Sequence, residues 1–266
     1  MSAPTQKDIW PGQSVALLKA LHILTPNGGL NADSRRKLKQ VQHLAQLIKP
    51  ATDALLKARD EPVLADLGAG KSYLGFILYD LYFGPAGRGT VLAVEARPEL
   101  IATAKKIAET SGFSRMKFVQ AKIADTEVGP VDMVTALHAC DTATDEAILF
   151  ALKHEAKYVA LVPCCQAEVA RQLEQVKGSL SQLWRHPIQR REFGAHITNV
   201  LRGLFLEAQG YKVRVTELTG LEHSLKNEFI LAERHQSANP RARAEFDRLV
   251  EQTNVAPRLL QDALAS

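Results

Sequence analysis

The residues best suited to chemistry lie within residues 63–75, where an apolar run ends at an acid, turns through glycines and continues as a helix. Two different nucleotide-type sites share this layout. Gly70 followed by Lys71 resembles a loop that wraps phosphate groups with backbone amides and a lysine. Asp66-x-Gly68-x-Gly70 instead places an acid beside a tight glycine turn, which favours a ligand that carries positive charge.

Four residues decide between these sites. Asp66 would repel phosphates, but it attracts the sulfonium and amino groups of S-adenosylmethionine (SAM). Glu95 ends the second apolar run and can accept two hydrogen bonds from ribose hydroxyls. Tyr73 stands where a dehydrogenase would need its third glycine, and Asp125 can contact an adenine amino group. The sequence therefore predicts SAM as cofactor, bound by Asp66, Gly68, Gly70, Tyr73, Glu95, Asp125 and Leu137.

The elements that position these residues alternate between strands and helices. Short apolar runs predict buried parallel strands over residues 63–67, 90–95, 116–120, 131–137 and 158–162. Helical patterns lie between them, over 72–82, 98–110 and about 142–153, with Ser72 able to cap the first. Strands over 212–217 and 229–232 are too close in sequence for a parallel crossover, so an antiparallel pair is predicted. The fold class is α/β with a doubly wound sheet.

The remaining segments frame this sheet. Residues 1–60 are predicted to form an N-terminal helical extension, in which Ser34 caps a helix that Pro50 ends or kinks. Residues 61–235 form the central domain, with a helical insertion over about 166–209. Residues 236–266 form a terminal helix or tail.

Composition narrows the protein class. The 266 residues are 46% hydrophobic, contain three cysteines and carry a net charge of +4. No run approaches the roughly 20 apolar residues of a membrane helix, and the N-terminus lacks the pattern of a secretion signal. The cysteines make no disulfide framework, which favours the cytoplasm. The mild positive charge permits a nucleic-acid partner.

Three segments resemble one family of class I SAM-dependent methyltransferases, which includes methyltransferase-like proteins and the glutathione S-transferase C-terminal domain-containing protein. They are residues 66–75, residues 137–145 with Val162-Pro-Cys-Cys after them, and residues 222–227. The resemblance covers about 35–235 and is weaker toward a tRNA 2′-O-methylase. It implies a Rossmann-like, seven-stranded sheet whose last strand is antiparallel, and methyl transfer as the activity.

The residues after the fourth strand are the predicted catalytic pair. His138 and Asp141 can act as base, or as base and orienting group, for a hydroxyl acceptor. In the alternative, His138 caps the strand and Asp141 caps the next helix through the amides of Ala143 or Thr144. A second alternative is a thiolate attack on cytosine by Cys140 or Cys164. Adjacent cysteines lack zinc-ligand spacing, so no metal is predicted.

The predicted substrate is structured RNA, either rRNA or tRNA. The insertion mixes arginines with Trp184 and Phe193, which suits phosphates and base stacking. The predicted substrate-binding residues are Cys164, Cys165, Arg190, Arg191, His223, Lys226 and Asn227. A protein or small-molecule substrate, or a non-catalytic binding module on the same fold, are the alternatives.

Overall fold

The computed structural model describes residues 9–137, 139, 141–163, 166–218 and 228–259. The described residues divide into two compact units: residues 9–137 with Leu218 form the first, and the described residues within 139–217 and 228–259 form the second. The domain boundaries predicted near residues 60 and 235 stay predictions.

Four parallel strands form the sheet of the first unit: β1 (Val63–Leu67), β2 (Thr90–Glu95), β3 (Met116–Gln120) and β4 (Met133–Leu137). β1 pairs with β2 on one side and with β4 on the other, and β3 pairs with β2. The residues of β1, β2 and β4 are mostly buried, as expected for continuous apolar runs covered on both faces. The register places Asp66 beside Thr135 of β4.

The helices of the first unit are α1 (Val15–Ala20), α2 (Ala32–Ala58), α3 (Tyr73–Leu78), α4 (Gly84–Ala86) and α5 (Pro98–Thr110). A π-helical turn at Tyr79–Phe83 joins α3 to α4. The predicted cap of α2 was wrong: Asn31 is the cap, and its side chain accepts a 2.8 Å hydrogen bond from the amide of Ser34. Pro50 does not end α2, because the flanking Ile48 and Ala51 keep the helix buried against the core.

The second unit contains β5 (Tyr158–Val162), β6 (Tyr211–Glu217) and β7 (Glu228–Arg234). β7 lies between β5 and β6 and is antiparallel to both, which confirms the predicted antiparallel pair. Its helices are α6 (Thr142–Lys153), α7 (Glu168–Leu173), α8 (Pro187–Ala208) and α9 (Pro240–Thr253), with a 3₁₀ helix at Ser179–Trp184.

The strand order is β3-β2-β1-β4-β5-β7-β6. This order confirms the predicted Rossmann-like sheet of seven strands with an antiparallel last strand. None of the helices in the described part of the chain has both the length and the apolar character that crossing a membrane requires.

Gly194 sets the distance between α7 and α8. A Cβ atom at this position would lie 2.7 Å from both Cα and Cβ of Ala170, closer than real side chains approach a neighbouring backbone. Only glycine therefore allows the two helices to pack at their observed separation.

Replacing Gly194 with Ala should lower the free energy of unfolding by about 1–3 kcal/mol, because the added methyl group overlaps the backbone of Ala170. Gly203→Ala is the matched control on α8, since in the described part of the chain its Cβ would meet only Val213 Cγ1 within 4 Å, at 3.9 Å. That control should raise stability by about 0.4–1 kcal/mol. Urea unfolding followed by circular dichroism measures both, and equal effects would contradict the close contact at Gly194.

Candidate functional site

The loop after β1 has a backbone that glycine makes possible. Gly68 and Gly70 adopt φ angles of 60° and 58°, in the left-handed region that side chains disfavour. Within this loop the amide of Ala69 donates to the carbonyl of Val94 in β2, at 2.9 Å. The turn is thereby fixed to the neighbouring strand.

Ser72 closes the loop in a different way from the one predicted. It occupies the position before α3 with a φ of 53°, but its side chain makes no capping hydrogen bond to the helix. Its hydroxyl donates instead to Oδ2 of Asp66, at 3.3 Å. The predicted helix cap was therefore wrong, because a buried carboxylate on β1 takes the hydroxyl.

Asp66 is the buried anchor of this loop, with 1% of its surface exposed. Oδ1 accepts a 2.9 Å hydrogen bond from the Thr135 hydroxyl, and Oδ2 accepts bonds from the Ser72 hydroxyl and from the Gly75 amide at 3.2 Å. Burial raises the pKa of Asp66 to about 6, although the three hydrogen bonds oppose this rise. The carboxylate shapes the loop from inside, and at 1% exposure its direct contact with a ligand stays a prediction.

Gly75 also shapes the loop, although it was not among the site residues predicted from the sequence. A Cβ atom there would lie 2.7 Å from Ser72 Oγ and 3.0 Å from Asp66 Oδ2. Glycine therefore lets α3 start directly against the buried carboxylate. An isolated glycine inside a helical pattern was the available indication.

Glu95 stands at the end of β2, beside the loop, and 6% of its surface is exposed. Its Oε2 accepts a 2.8 Å hydrogen bond from the Gly70 amide. Oε1 accepts bonds from the backbone amide and Nε of Arg97, at 3.0 and 2.9 Å, and Nη2 of Arg97 lies 3.3 Å from Oε2. Burial raises the pKa of Glu95, but the bonds from Arg97 and Gly70 outweigh it and the net pKa is lowered.

The sequence that forms this fold and loop also matches a known protein family. A family model described as a methyltransferase domain (Methyltransf_32) matches residues 36–172, just over half of the chain. The chain belongs to this methyltransferase-domain family. The methyltransferase domain thus includes the loop, Glu95 and the first residues of the second unit.

Two curated relatives are similar to this chain over part of their length. The human glutathione S-transferase C-terminal domain-containing protein is 28% identical over 221 residues, covering 74% of this chain and 34% of the human protein. The bovine protein is 28% identical over 159 residues, covering 60% of this chain and 24% of its own length. The chain thus spans about a third or less of these curated relatives.

One solved structure shares the fold of the methyltransferase domain. It is a magnesium protoporphyrin IX methyltransferase from Synechocystis PCC 6803 with bound SAH. The two chains superpose with a TM-score of 0.50 at 13% identity, covering 82% of this chain and 94% of that one. The likeness shows the fold alone.

The other three residues predicted to bind the cofactor lie outside the hydrogen-bonded centre formed by Asp66, Glu95 and the loop. Tyr73 is half-buried as the first residue of α3, and Leu137 is half-buried as the last residue of β4. Asp125 is exposed at the end of a 3₁₀ turn after β3, and within the described residues its carboxylate makes no hydrogen bond or ion pair. The structure thus brings together Asp66, Gly68, Gly70 and Glu95 but leaves Asp125 on the surface.

Asp141 lies at the start of α6 in the second unit, and its carboxylate caps a different helix. Oδ1 accepts hydrogen bonds from the amides of Ala167 and Glu168, at 3.0 and 3.2 Å, at the start of α7. Oδ2 lies 3.4 Å from Nη2 of Arg171. Neither Ala143 nor Thr144 is capped by it, which corrects the predicted alternative.

These contacts affect the chemistry available to Asp141. Burial raises the pKa of the carboxyl, but the donors from Ala167, Glu168 and Arg171 outweigh it, so the net pKa is lowered. A carboxylate with a lowered pKa is a weaker base. The catalytic role of Asp141 stays a prediction.

Other predicted site residues lie outside the described residues: His138, Cys140, Cys164, Cys165, His223, Lys226 and Asn227.

Arg190 and Arg191 lie on α8 and border a groove of about 270 Å³ between α7 and α8. Arg190 pairs with Glu174 at 3.0 Å, and its side chain is 21% exposed. Trp184 was predicted to be available for base stacking, and this was wrong: it is 2% exposed and packs on Phe193 with ring centroids 5.1 Å apart. The indole ring packs in the interior of the insertion and not on its surface.

The raised pKa of Asp66 predicts a pH dependence of stability. The folded state holds a proton that the unfolded state releases between about pH 4 and pH 6, so the contribution of this group to stability falls as pH rises through that window. The free energy of unfolding of the wild type minus that of Asp66→Asn should therefore decline by about 1–3 kcal/mol from pH 4 to pH 6. Urea titrations at several pH values measure this difference.

The exposed Asp125 provides the control for this experiment, and Asp125→Asn should follow the wild-type curve. Parallel pH profiles for the wild type and Asp66→Asn would show that the buried carboxylate does not titrate in this range.

Proposed function

We propose that the chain is a SAM-dependent methyltransferase that modifies structured RNA, either rRNA or tRNA. The observation that carries the SAM assignment is the pairing of Glu95 with the Gly70 amide, at 2.8 Å, at the end of β2. It places an ionised acceptor directly beside a glycine loop, as ribose recognition in dinucleotide-type folds requires.

The residues present fit this cofactor. Among the described residues, a Cβ atom built on Gly70 would meet only Arg97 Nη2 within 4 Å, at 3.9 Å, so these residues leave the surface of the loop open to a ligand. Gly68 and Gly70 would lie against the methionyl part, and Glu95 would accept hydrogen bonds from the ribose. When bound, SAM supplies an electrophilic methyl group.

Arg97 competes with the ribose for Glu95. Arg97 provides three of the four hydrogen bonds that the two carboxylate oxygens accept, two of them from its side chain. The Arg97 side chain is 61% exposed. Water can solvate this exposed guanidinium once it is released, whereas the buried carboxylate of Glu95 would need the ribose hydroxyls as replacement donors. Ribose binding would therefore displace the guanidinium and leave the Gly70 amide in place.

Glu95→Ala should weaken SAM and SAH binding about tenfold or more, because the ribose loses its charged acceptor. Arg97→Ala should leave affinity unchanged or tighten it by a few-fold, because a competing donor is removed. Isothermal titration calorimetry measures both, with the exposed Glu99→Ala as control.

Two results would contradict this assignment. Unchanged affinity in Glu95→Ala would remove Glu95 from the site. Binding of ATP with no binding of SAM would restore the phosphate-loop interpretation of Gly70 and Lys71.

The RNA assignment is supported by the arginines of the second unit. Arg171, Arg190 and Arg191 border one groove, and guanidinium groups suit phosphate recognition. The chain as a whole carries a net charge of +4. The lowered pKa of Asp141 makes His138 the better candidate for the base that takes the proton of the acceptor.

Incubation with tritiated SAM and material from cells that lack the protein should transfer label to RNA. Glu95→Ala protein is the control and should transfer much less, whereas label in a protein or small-molecule fraction would refute the RNA assignment. Intact SAM binding with no label in any fraction would refute the proposed enzymatic activity and favour a non-catalytic module.

His138→Ala should lower kcat with little change in SAM affinity if His138 is the base.

A further inference from the structure

The groove between α7 and α8 has an excess of positive charge. Arg190 pairs with Glu174 at 3.0 Å, and Arg171 lies 3.4 Å from Asp141. Arg191 is exposed and makes no ion pair with any residue that the structure describes. Three guanidinium groups thus face two carboxylates, which leaves the groove suited to an anionic group.

A buried polar chain fixes the orientation of the amides beneath this groove. Arg202 is 1% exposed and donates to Asp145 Oδ1 at 2.6 Å and to the carbonyl of Asp141 at 2.8 Å. Its Nη1 lies 3.2 Å from Oδ1 of Asn199. A guanidinium has no acceptor, so the oxygen of Asn199 must face Arg202.

The other side of Asn199 agrees with this orientation. Its Nδ2 lies 2.7 Å from Oε2 of Glu228, and a carboxylate accepts hydrogen bonds. The oxygen of Asn199 is therefore also the atom that faces Gln166, at 3.1 Å, so Gln166 must present its amide nitrogen there.

This orientation leaves the side-chain oxygen of Gln166 without a donor among the residues that the structure describes. Gln166 is 4% exposed and lines the groove, and no described residue donates a hydrogen bond to its buried Oε1. The amide cannot be reversed to relieve this, because its oxygen would then face the oxygen of Asn199. An acceptor buried without a donor is costly, and a ligand with an O–H or N–H group removes that cost.

We propose that this groove binds one ribonucleotide of the substrate, with its phosphate at Arg190 and Arg191 and its 2′-hydroxyl donating to Oε1 of Gln166. The volume of about 270 Å³ lies just below the range of about 300–1,000 Å³ typical of ligand pockets, so the groove is matched to one small unit and not to a longer segment. The 2′-hydroxyl lies beside the phosphate in every ribonucleotide and is the group that separates RNA from DNA. The inference rests on the proposed RNA substrate and adds the site that recognises it.

Binding of a fluorescein-labelled RNA hairpin and of its DNA counterpart tests the groove. Changing Arg190 and Arg191 together to Gln should weaken binding of both about tenfold or more and reduce the slope of log K against log salt by about one to two. Changing Arg241 and Arg248 of α9 to Gln removes the same charge elsewhere and is the control.

Gln166→Met should weaken RNA binding about three- to tenfold, leave DNA binding and the salt slope unchanged, and so reduce the preference for RNA. The exposed Gln175→Met is the matched control. SAM affinity measured by calorimetry checks that each variant is folded. If Gln166→Met does not fold, the variant with Arg190 and Arg191 changed to Gln still tests the groove.

The outcomes separate the two proposals. Wild-type protein that binds SAM but neither binds nor methylates RNA would overturn the RNA assignment itself. Wild-type protein that methylates RNA, with groove variants that bind the hairpin as their controls do, would overturn the groove alone. Equal losses of RNA and DNA binding in Gln166→Met would overturn the role of the 2′-hydroxyl.

Discussion

The buried carboxylate of Asp66 is the interaction on which the rest of the first unit's site depends. It joins β1 to β4 through Thr135, the glycine loop through Ser72 and the start of α3 through Gly75. Removing this charge from water opposes folding, and the three donors offset that cost. The loop conformation is therefore set by the interior of the protein before any ligand arrives.

Hydrogen bonds also fix the surface of the loop. Once the turn is fixed, the Gly70 amide points at Glu95, and Arg97 satisfies the remaining acceptor positions. The charge of the Glu95 carboxylate is thus balanced by a guanidinium whose side chain is exposed. Preorganisation of this kind reduces the entropy that binding must offset.

Local patterns were sufficient for the sheet but not for the polar contacts. The strands were predictable because continuous apolar runs suit a buried parallel sheet, and Glu95 because it ends one of those runs. Ser34 was mistaken for a cap because Asn31, three residues earlier, is an equally good capping type. Ser72 and Asp141 bind partners that folding brings to them: the carboxylate of Asp66, and amides 26 and 27 residues further along. Such contacts exist only in the folded chain and leave no mark on local patterns, and the same is true of the burial of Trp184 against Phe193.

Asp141 has a backbone geometry that non-glycine residues rarely adopt, with φ at 52° and ψ at −120°. Such conformations cost on the order of 1–3 kcal/mol and persist only where neighbours over-determine them. Here Arg202 holds the carbonyl while the first amides of α7 hold the carboxylate. The strained conformation of Asp141 is therefore maintained only where α7 and α8 are both in place. The start of α6 thus makes the stabilities of three helices mutually dependent.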